Sequence, residues 1–365
     1  MALGDAVVRS LFSLVCAISA WGCATGGGAT VDASAPEDGG EPARDARPAA
    51  DVHAAEDAPS DGGPREAEPP DAPVESGRHH ADSGVSPPVT LATGQDMPIG
   101  IAVDGTNLYW TDMSGGTVME VPLSGGAPTT LASGQASPYG IAVDATSAYW
   151  TNNTGGTVMK LPLSGGVPTT LASGQESPYC LVLTGGNLYW TNGGSPGAVM
   201  TLPIGGGSPG TVAAAQDTPF GLAVNATDAY WTTNDSPGAV MTVPLAGGAP
   251  VTLASGQGNP LGIAVDEASV YWTESTTGTV MKMPLGGGAP VTLASAQGNP
   301  WGVALDSTSV YWTDALAAGA VQRVPLGGGA ATTIASGQVD PVFVLVAGKS
   351  VYWSTYSAAG TLMRE

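Results

Sequence analysis

Residues 88–365 are predicted to form an all-β fold built from repeated four-stranded units, and two observations support this. A Tyr-Trp pair recurs seven times at spacings of 40 or 41 residues, a period typical of circular repeat folds. Between the pairs, short runs of β-branched and aromatic residues alternate with Gly, Pro and Asp turns, and no helical periodicity follows residue 23. The sequence therefore predicts a seven-bladed β-propeller with four strands in each blade.

One repeat, residues 138–175, shows the strands in order. Strand A reads GIAVD, strand B SAYWT, strand C TVMKLPL and strand D PTTLASG. The pair Gly165-Gly166 between strands C and D suits the positive φ angles of a tight hairpin turn. The Asp that ends strand A, Asp144 in this repeat, is expected to cap the A–B turn by accepting bonds from the backbone.

The Tyr-Trp pairs are predicted to be core. Adjacent residues of a strand point to opposite faces of the sheet, so each pair sends one ring to each side. Both faces of a propeller blade are covered by its neighbours, and each buried ring contributes roughly 1.5–3 kcal/mol. We therefore expect the pairs to fill the cores between blades, not to bind a ligand.

The ring is predicted to close through its own N-terminal segment. The last repeat stops within strand C, at residues 361–365, whereas residues 88–95 match a strand D but precede the first strand A. Pairing these two segments gives every blade four strands and protects an open sheet edge.

The motif YWTD stands intact at residues 109–112 and 311–314, and GIAVD precedes several pairs. Over about residues 88–365 the chain resembles YWTD-type and NHL-type β-propeller repeats. That resemblance implies a ligand-binding or adhesive scaffold, commonly extracellular, with chemistry only in scattered relatives. Two features depart from it. The YWTD family usually has six blades, and most copies here lack the final Asp, having Asn152, Asn192, Thr233, Glu274 and Thr355.

Residues 1–23 are predicted to be an export signal, because a short apolar run follows Arg9. Gly22 before Cys23 resembles the end of a bacterial lipobox, although Trp21 departs from it. We expect lipidation of Cys23, which would anchor the protein to a membrane of the bacterial cell envelope, facing the periplasm or the exterior. Cleavage by an ordinary signal peptidase, for example after Ala24, with secretion of the chain, is the alternative.

Residues 24–87 are predicted to be a disordered acidic linker. They hold 14 acidic residues and four arginines with almost no aliphatic or aromatic side chains, so they cannot bury enough apolar surface to fold. The three histidines His53, His79 and His80 lie here and are expected to be solvated, with a metal-binding His79-His80 pair as the alternative.

The propeller itself holds 16 acidic and five basic residues, which argues against nucleic acid as a partner. Its lone cysteine, Cys180, leaves no partner for an intrachain disulfide once Cys16 goes with the signal and Cys23 is the anchor. We expect Cys180 to be a tolerated buried residue and the protein to be a monomer.

Histidine is absent from residues 88–365, so histidine-based acid/base catalysis and Cys/His metal clusters are excluded there. This absence also counts against similarity to the seven-bladed streptogramin-lyase type. The repeats are close copies without a unique catalytic constellation. We therefore expect the chain not to be an enzyme and to need no cofactor.

The residue after the proline that enters strand A varies among large apolar types. Packing between blades near the channel mouth is the expected role of this position, and its aromatic members are a candidate ligand platform for sugar or peptide if their rings are partly exposed. These members are Tyr139, Tyr179, Phe220 and Trp301.

The D–A and B–C loops contain acidic residues but no Lys or Arg. Such a surface could attract Ca²⁺ or basic ligands, with a role in solubility as the alternative. The candidate metal ligands are Asp96, Asp112, Glu176, Asp217, Asp314 and Asp340, and the same loops also hold Asp235 and Glu274.

The sequence therefore predicts a surface-tethered, non-catalytic recognition or scaffolding module for a protein or glycan. One alternative is a metal-dependent hydrolase or lyase that uses loop carboxylates. The other is a structural envelope protein without a specific ligand.

Overall fold

The computed structural model describes residues 87–365, and this range is all β with no helix. It therefore contains no helix long and apolar enough to cross a membrane. Cys23 and the predicted signal and linker lie outside the described residues.

The 28 strands form seven antiparallel sheets of four. The chain starts with β1 (Val89–Gln95), which belongs to the last blade. Blades 1 and 2 are formed by β2 (Pro98–Val103), β3 (Asn107–Asp112), β4 (Thr117–Pro122), β5 (Thr129–Ala132), β6 (Pro138–Val143), β7 (Ser147–Asn152), β8 (Thr157–Pro162) and β9 (Thr169–Ala172). Blades 3 and 4 are formed by β10 (Pro178–Thr184), β11 (Asn187–Asn192), β12 (Gly197–Pro203), β13 (Gly210–Gln216), β14 (Pro219–Val224), β15 (Asp228–Thr233), β16 (Gly238–Pro244) and β17 (Val251–Gln257).

Blades 5 and 6 are formed by β18 (Pro260–Val265), β19 (Ser269–Glu274), β20 (Thr279–Pro284), β21 (Val291–Ala294), β22 (Pro300–Leu305), β23 (Ser309–Asp314), β24 (Gly319–Pro325) and β25 (Thr332–Gln338). Blade 7 is formed by β26 (Pro341–Ala347), β27 (Ser350–Thr355), β28 (Gly360–Arg364) and β1. The strand A segments of neighbouring blades contact each other around the whole ring, from β2 and β6 to β26 and β2. The predicted seven-bladed propeller is confirmed.

The predicted ring closure is also confirmed. β1 pairs antiparallel with β28, with Val89 opposite Arg364 and Gln95 opposite Gly360. Leu91 is buried in this blade, so the N-terminal strand supplies core as well as backbone hydrogen bonds.

The Tyr-Trp pairs fill the cores between blades as predicted. All seven tryptophans are 0% exposed, and the paired tyrosines are buried as well. At the junction of blades 1 and 2, Tyr109 of one blade and Trp150 of the next belong to the same apolar cluster. Each tyrosine therefore faces the following blade and each tryptophan the preceding one.

The loops divide the propeller into two faces. We call the face formed by the D–A and B–C loops the upper face, and the face formed by the A–B and C–D loops the lower face. The chain enters the propeller at the lower face, because Val89 lies beside Arg364 at the end of β28, where strand C reaches the C–D side.

The lower face is held by turn chemistry that the sequence predicts in part. Asp104 Oδ1 accepts hydrogen bonds from the backbone N–H groups of Thr106 and Asn107 at 2.8 Å, as expected of a capping Asp. Its other oxygen accepts a bond from the Tyr109 hydroxyl at 2.7 Å, and the paired tyrosines of blades 2, 5 and 6 make the same bond to the Asp that follows their strand A. Gly165 and Gly166 have φ angles of +92° and +135°, which confirms the predicted turn.

Basic side chains of strand C join neighbouring blades near the lower face. Lys160 Nζ donates to the Ile204 carbonyl at 3.2 Å, and Lys282 Nζ donates to that of Leu326 at 2.9 Å. Arg364 donates to the Leu123 carbonyl at 2.7 Å, which links the last blade to the first. These cations therefore serve packing between blades.

Candidate functional site

A ring of seven side chains surrounds the upper end of the central channel, and we call it the mouth ring. Each member follows the proline that starts a strand A, and each strand has a register shift at this point, for example between Pro98 and Ile101. A bulge turns a side chain away from the regular alternation of the strand. The mouth ring consists of Ile99, Tyr139, Tyr179, Phe220, Leu261, Trp301 and Val342.

Six members of the mouth ring are buried, at 0–4% exposure. The position is therefore largely a packing position. Tyr139, Phe220 and Trp301 are buried, and Tyr179 is half-buried. The Trp301 indole Nε1 has no hydrogen-bond partner within residues 87–365. Of these four residues, Tyr179 alone is not fully buried.

Tyr179 lies at the centre of an aromatic arc across blades 2 to 4. Its ring centroid is 5.1 Å from that of Tyr139 and 5.4 Å from that of Phe220, and both pairs are edge to face, a favourable geometry for aromatic rings. A Cβ at Gly193 would overlap the Tyr179 ring. The Tyr179 ring therefore lies directly against the backbone at Gly193, a position that has no room for a larger residue.

A circle of buried hydroxyls fixes the backbone of the mouth ring. In blade 1, Thr111 Oγ1 accepts a bond from the Gly100 N–H at 3.1 Å and donates to the Tyr139 carbonyl of blade 2 at 2.6 Å. In the seventh blade Ser354 takes the same place and donates to the Ile99 carbonyl at 2.8 Å. The other donors are Thr151, Thr191, Thr232, Thr273 and Thr313.

This circle was missed by sequence reasoning. The third letter of the YWT motif, Thr in six copies and Ser in one, was the available signal. It is a hydroxyl in every copy, although Thr is also simply common in strands.

The acidic residues of the upper face occupy different depths. Asp112, Glu274 and Asp314 are buried at the ends of their strands. Asp340 is half-buried, and the remaining acids Asp96, Glu176, Asp217 and Asp235 are exposed. The structure therefore does not bring the predicted metal ligands to one point.

Asp112 is the most strongly perturbed acid of this set. Burial raises its pKa to about 6, and the nearby charge of Asp96 acts in the same direction, against hydrogen bonds from Thr117 and Trp110. The Trp110 Nε1 donates to Asp112 Oδ1 at 3.1 Å. A carboxyl group of this kind exchanges its proton near neutral pH.

Within residues 87–365, no group of three or more His, Cys, Asp or Glu side chains is placed to hold a metal ion. Binding of Ca²⁺ to the acidic loops stays a prediction. Its test is the melting temperature of the full chain in Ca²⁺ and in EDTA, where equal values would remove the hypothesis. Cys180 is buried, as expected.

Searches with the sequence give no match to a protein-family model or to a curated protein. Comparison of the structure gives many matches. Virginiamycin B lyase from Staphylococcus aureus is 12% identical, covers 76% of this chain and 97% of its own, and has a TM-score of 0.65. A catalytically inactive histidine-to-alanine variant of that lyase with quinupristin matches with the same identity and coverage and a TM-score of 0.63.

A nidogen/laminin complex structure matches as well, at 21% identity over 61% of this chain and 90% of the other, with a TM-score of 0.51. At these identities the likenesses establish the fold alone. They support a seven-bladed propeller with neighbours of the YWTD and NHL type.

Two predictions are corrected by these matches. The chain was expected not to be an enzyme, but the structures similar to it include a lyase on the same fold. The absence of histidine was expected to count against likeness to streptogramin lyases, and that expectation is wrong for the fold. The physical reason is that a few loop side chains carry catalysis while the blades carry the fold, so near-identical repeats do not exclude chemistry.

Proposed function

We propose that the propeller is a recognition module that binds a protein or glycan ligand on its upper face, over the mouth ring. The observation that carries this proposal is the half-buried Tyr179, held edge to face by Tyr139 and Phe220. An aromatic ring fixed by its neighbours loses little conformational freedom on binding. It also offers both an apolar face and a hydroxyl to a ligand.

The distribution of charge supports the same face. The upper face holds eight acidic residues, three of them buried, and neither Lys nor Arg. The other eight acidic residues and all five basic residues of the propeller lie in the rest of the fold, and three of the basic side chains are engaged between blades near the lower face. The upper face would therefore favour ligands with positive charge and steer them by long-range attraction.

The proposed tether is consistent with this orientation. The chain enters the propeller at Val89 on the lower face. If Cys23 is lipidated in a bacterial envelope, the upper face is the one opposite the point where the anchored chain enters the propeller. Mass spectrometry of the mature N-terminus tests the anchor: a diacylglyceryl-modified Cys23 supports it, and an unmodified residue 25 supports release of the chain.

The recognition proposal is tested with the full chain on a glycan array and in capture from envelope extracts. Tyr179→Ala should abolish binding, and Tyr179→Phe should retain most of it because the ring stays. Equal binding by Tyr179→Ala and the wild type would contradict the proposal. A melting temperature unchanged by the substitution separates loss of contact from loss of fold.

A lyase or hydrolase that uses carboxylates is the second candidate function. It is favoured by the lyase fold of the neighbouring structures and by Asp112, a buried carboxyl group beside Asp96 whose pKa is raised to about 6. A carboxyl group whose pKa lies near neutral pH is suited to a general acid or base role. A divalent metal would need a group of ligands that residues 87–365 do not provide, so the candidate is argued for the carboxylates alone.

This candidate is tested by incubating the full chain with a streptogramin B antibiotic and following the linear product by mass spectrometry. Asp96→Asn and Asp112→Asn should each lower any turnover at least roughly 100-fold, as removal of an acid or base does. Turnover that both variants retain would contradict a role for these carboxylates.

A further inference from the structure

Two exposed aliphatic residues break the repeat pattern at neighbouring places on the upper face. Leu316 is the only aliphatic residue at its position in the B–C loops, where the other copies have Ser114, Thr154, Gly194, Asp235, Thr276 and Ser357. Val339 is the only β-branched residue at its position in the D–A loops, where the other copies have Asp96, Ala136, Glu176, Asp217, Gly258 and Gly298.

The two departures lie in neighbouring loops of blade 6, and the Leu316 side chain also lies against Gly298 of the D–A loop that precedes this blade. The Asp340 N–H donates to the Leu316 carbonyl at 2.8 Å, so the loop that carries Val339 lies against the loop that carries Leu316. Leu316 is 43% exposed and Val339 is 50% exposed. Ala317 and Ala318, also exposed, extend this surface, and we call these four residues the apolar patch.

Acidic side chains border the apolar patch. Asp340 follows Val339 directly, and its carbonyl accepts a bond from the Tyr356 N–H at 2.8 Å. The next residue, Ser357, accepts a bond from the Met97 N–H at 2.9 Å, which places exposed Asp96 in the adjoining loop. No Lys or Arg occurs in any loop of this face, so the charged residues near the patch are acidic: Asp340 adjoins it, and Asp96 lies one D–A loop further round the ring.

We propose that the apolar patch docks a peptide segment of a partner protein in which an aliphatic or aromatic residue is flanked by Lys or Arg. Aliphatic side chains on both sides bury apolar area when they meet. The flanking cations then pair with Asp340 and Asp96, which gives the contact its charge complementarity. The inference rests on the proposed recognition function and names the ligand class of the upper face.

A peptide fits this surface better than a sugar does. Sugars stack on aromatic rings, and the apolar patch offers none. The ring of Tyr179, in contrast, belongs to blade 3, on another part of the upper face.

The test is selection of a phage-displayed random dodecapeptide library on the immobilised full chain. We expect enrichment of sequences with Lys or Arg next to Leu, Ile, Phe or Trp. Anisotropy of a labelled selected peptide should then show that the double variant Leu316→Thr/Val339→Ala weakens binding roughly tenfold or more. Both substitutions introduce residues that other copies carry at these positions, so the fold should be retained.

The matched control is Val291→Thr. Val291 is 57% exposed on β21, away from the patch, and other copies have Thr129 or Thr169 at its position. This variant should bind the selected peptide like the wild type.

Three outcomes would overturn the inference: no enrichment, enrichment of acidic or uncharged sequences, and equal binding by the double variant. A change in sedimentation of the double variant would also overturn it, because it would make a second copy of the chain the occupant. If binding is lost in Tyr179→Ala and kept in the double variant, the result would support the recognition function and contradict only the docking of the peptide on the apolar patch.

Discussion

At the residue scale, aspartates of one blade respond to their surroundings in opposite ways. Burial acts to raise the pKa of Asp104 on the lower face, but hydrogen bonds from Tyr109, Asn107 and Thr106 outweigh burial and lower this pKa. Asp112 at the other end of the same strand pair has its pKa raised by burial. In its ionised form Asp104 therefore stabilises the fold, whereas ionised Asp112 destabilises it.

Asp112→Asn should raise the stability of the propeller at neutral pH. Between about pH 4 and pH 6 the folded state binds more protons than the unfolded state, so the wild type loses stability as the pH rises through this window. The gain in the variant should be about 1–2 kcal/mol at pH 7 after allowance for solvent screening, and should vanish near pH 4. Thermal unfolding from pH 4 to pH 8 measures it.

The repeats supply the reason to expect that Asn fits. Asn192 in blade 3 accepts a bond from Trp190 Nε1 at 3.1 Å and donates to Gln175 at 3.0 Å. Asp104→Asn is the control of opposite sign: it should lower stability at pH 7, with a difference that shrinks as the pH falls. A stability gain in Asp112→Asn that is the same at pH 4 and pH 7 would contradict the assignment.

Thr232→Val should destabilise the junction between blades 4 and 5. The substitution keeps the shape but leaves the Gly221 N–H and the Leu261 carbonyl unpaired, which are now bonded to Thr232 at 2.9 Å and 2.8 Å. The free energy of unfolding should fall by about 2–4 kcal/mol. Denaturant titration measures it.

Thr232→Ser is the matched control, because Ser354 performs the same role in blade 7. It should lose less than about 1 kcal/mol, mainly for the missing methyl group. Similar losses in the two variants would show that packing, not the hydroxyl, holds the junction.

At the element scale, β1 is the strand that completes the ring. Deletion of residues 89–95 should leave β28 with an open edge and remove the buried Leu91. We expect a lower melting temperature and concentration-dependent association, because open edges pair with other chains. Differential scanning calorimetry and size-exclusion chromatography measure the two effects.

The control for this deletion is Thr93→Ser, which makes the sequence of β1 identical to that of β17. It should leave both readouts unchanged. A deletion variant that melts and migrates like the wild type would contradict the role of β1 in closing the ring.

The number and order of the elements could be predicted because each repeat carries its own turn signals and its own Tyr-Trp pair. The bulge at the start of strand A could not, since Pro98 and Ile99 read as ordinary strand residues. Their side-chain directions depend on a register shift that only the paired strand defines. For this reason the sequence could not decide whether Tyr139, Phe220 and Trp301 pack between blades or form a ligand platform, and in the structure all three are buried.

At the scale of the whole molecule, the propeller has two faces with different tasks. The lower face receives the chain, and its turns are fastened by Asp, Tyr and basic side chains. The upper face combines eight acids, a half-buried tyrosine and the apolar patch. The charge of this face could be predicted from the loops, but the patch could not, because Leu316 and Val339 are 23 residues apart in the sequence and their loops become neighbours only when β24 and β25 pair within blade 6.

The most direct test of the recognition account is capture of ligand by three forms of the full chain, immobilised through the N-terminus. These are the wild type, an upper-face variant with Tyr179→Ala and Leu316→Thr, and a lower-face variant with Glu267→Ala and Lys349→Ala, both of which are exposed. The account predicts that the upper-face variant loses the captured ligand and the lower-face variant retains it. Loss in the lower-face variant with retention in the upper-face variant would contradict it.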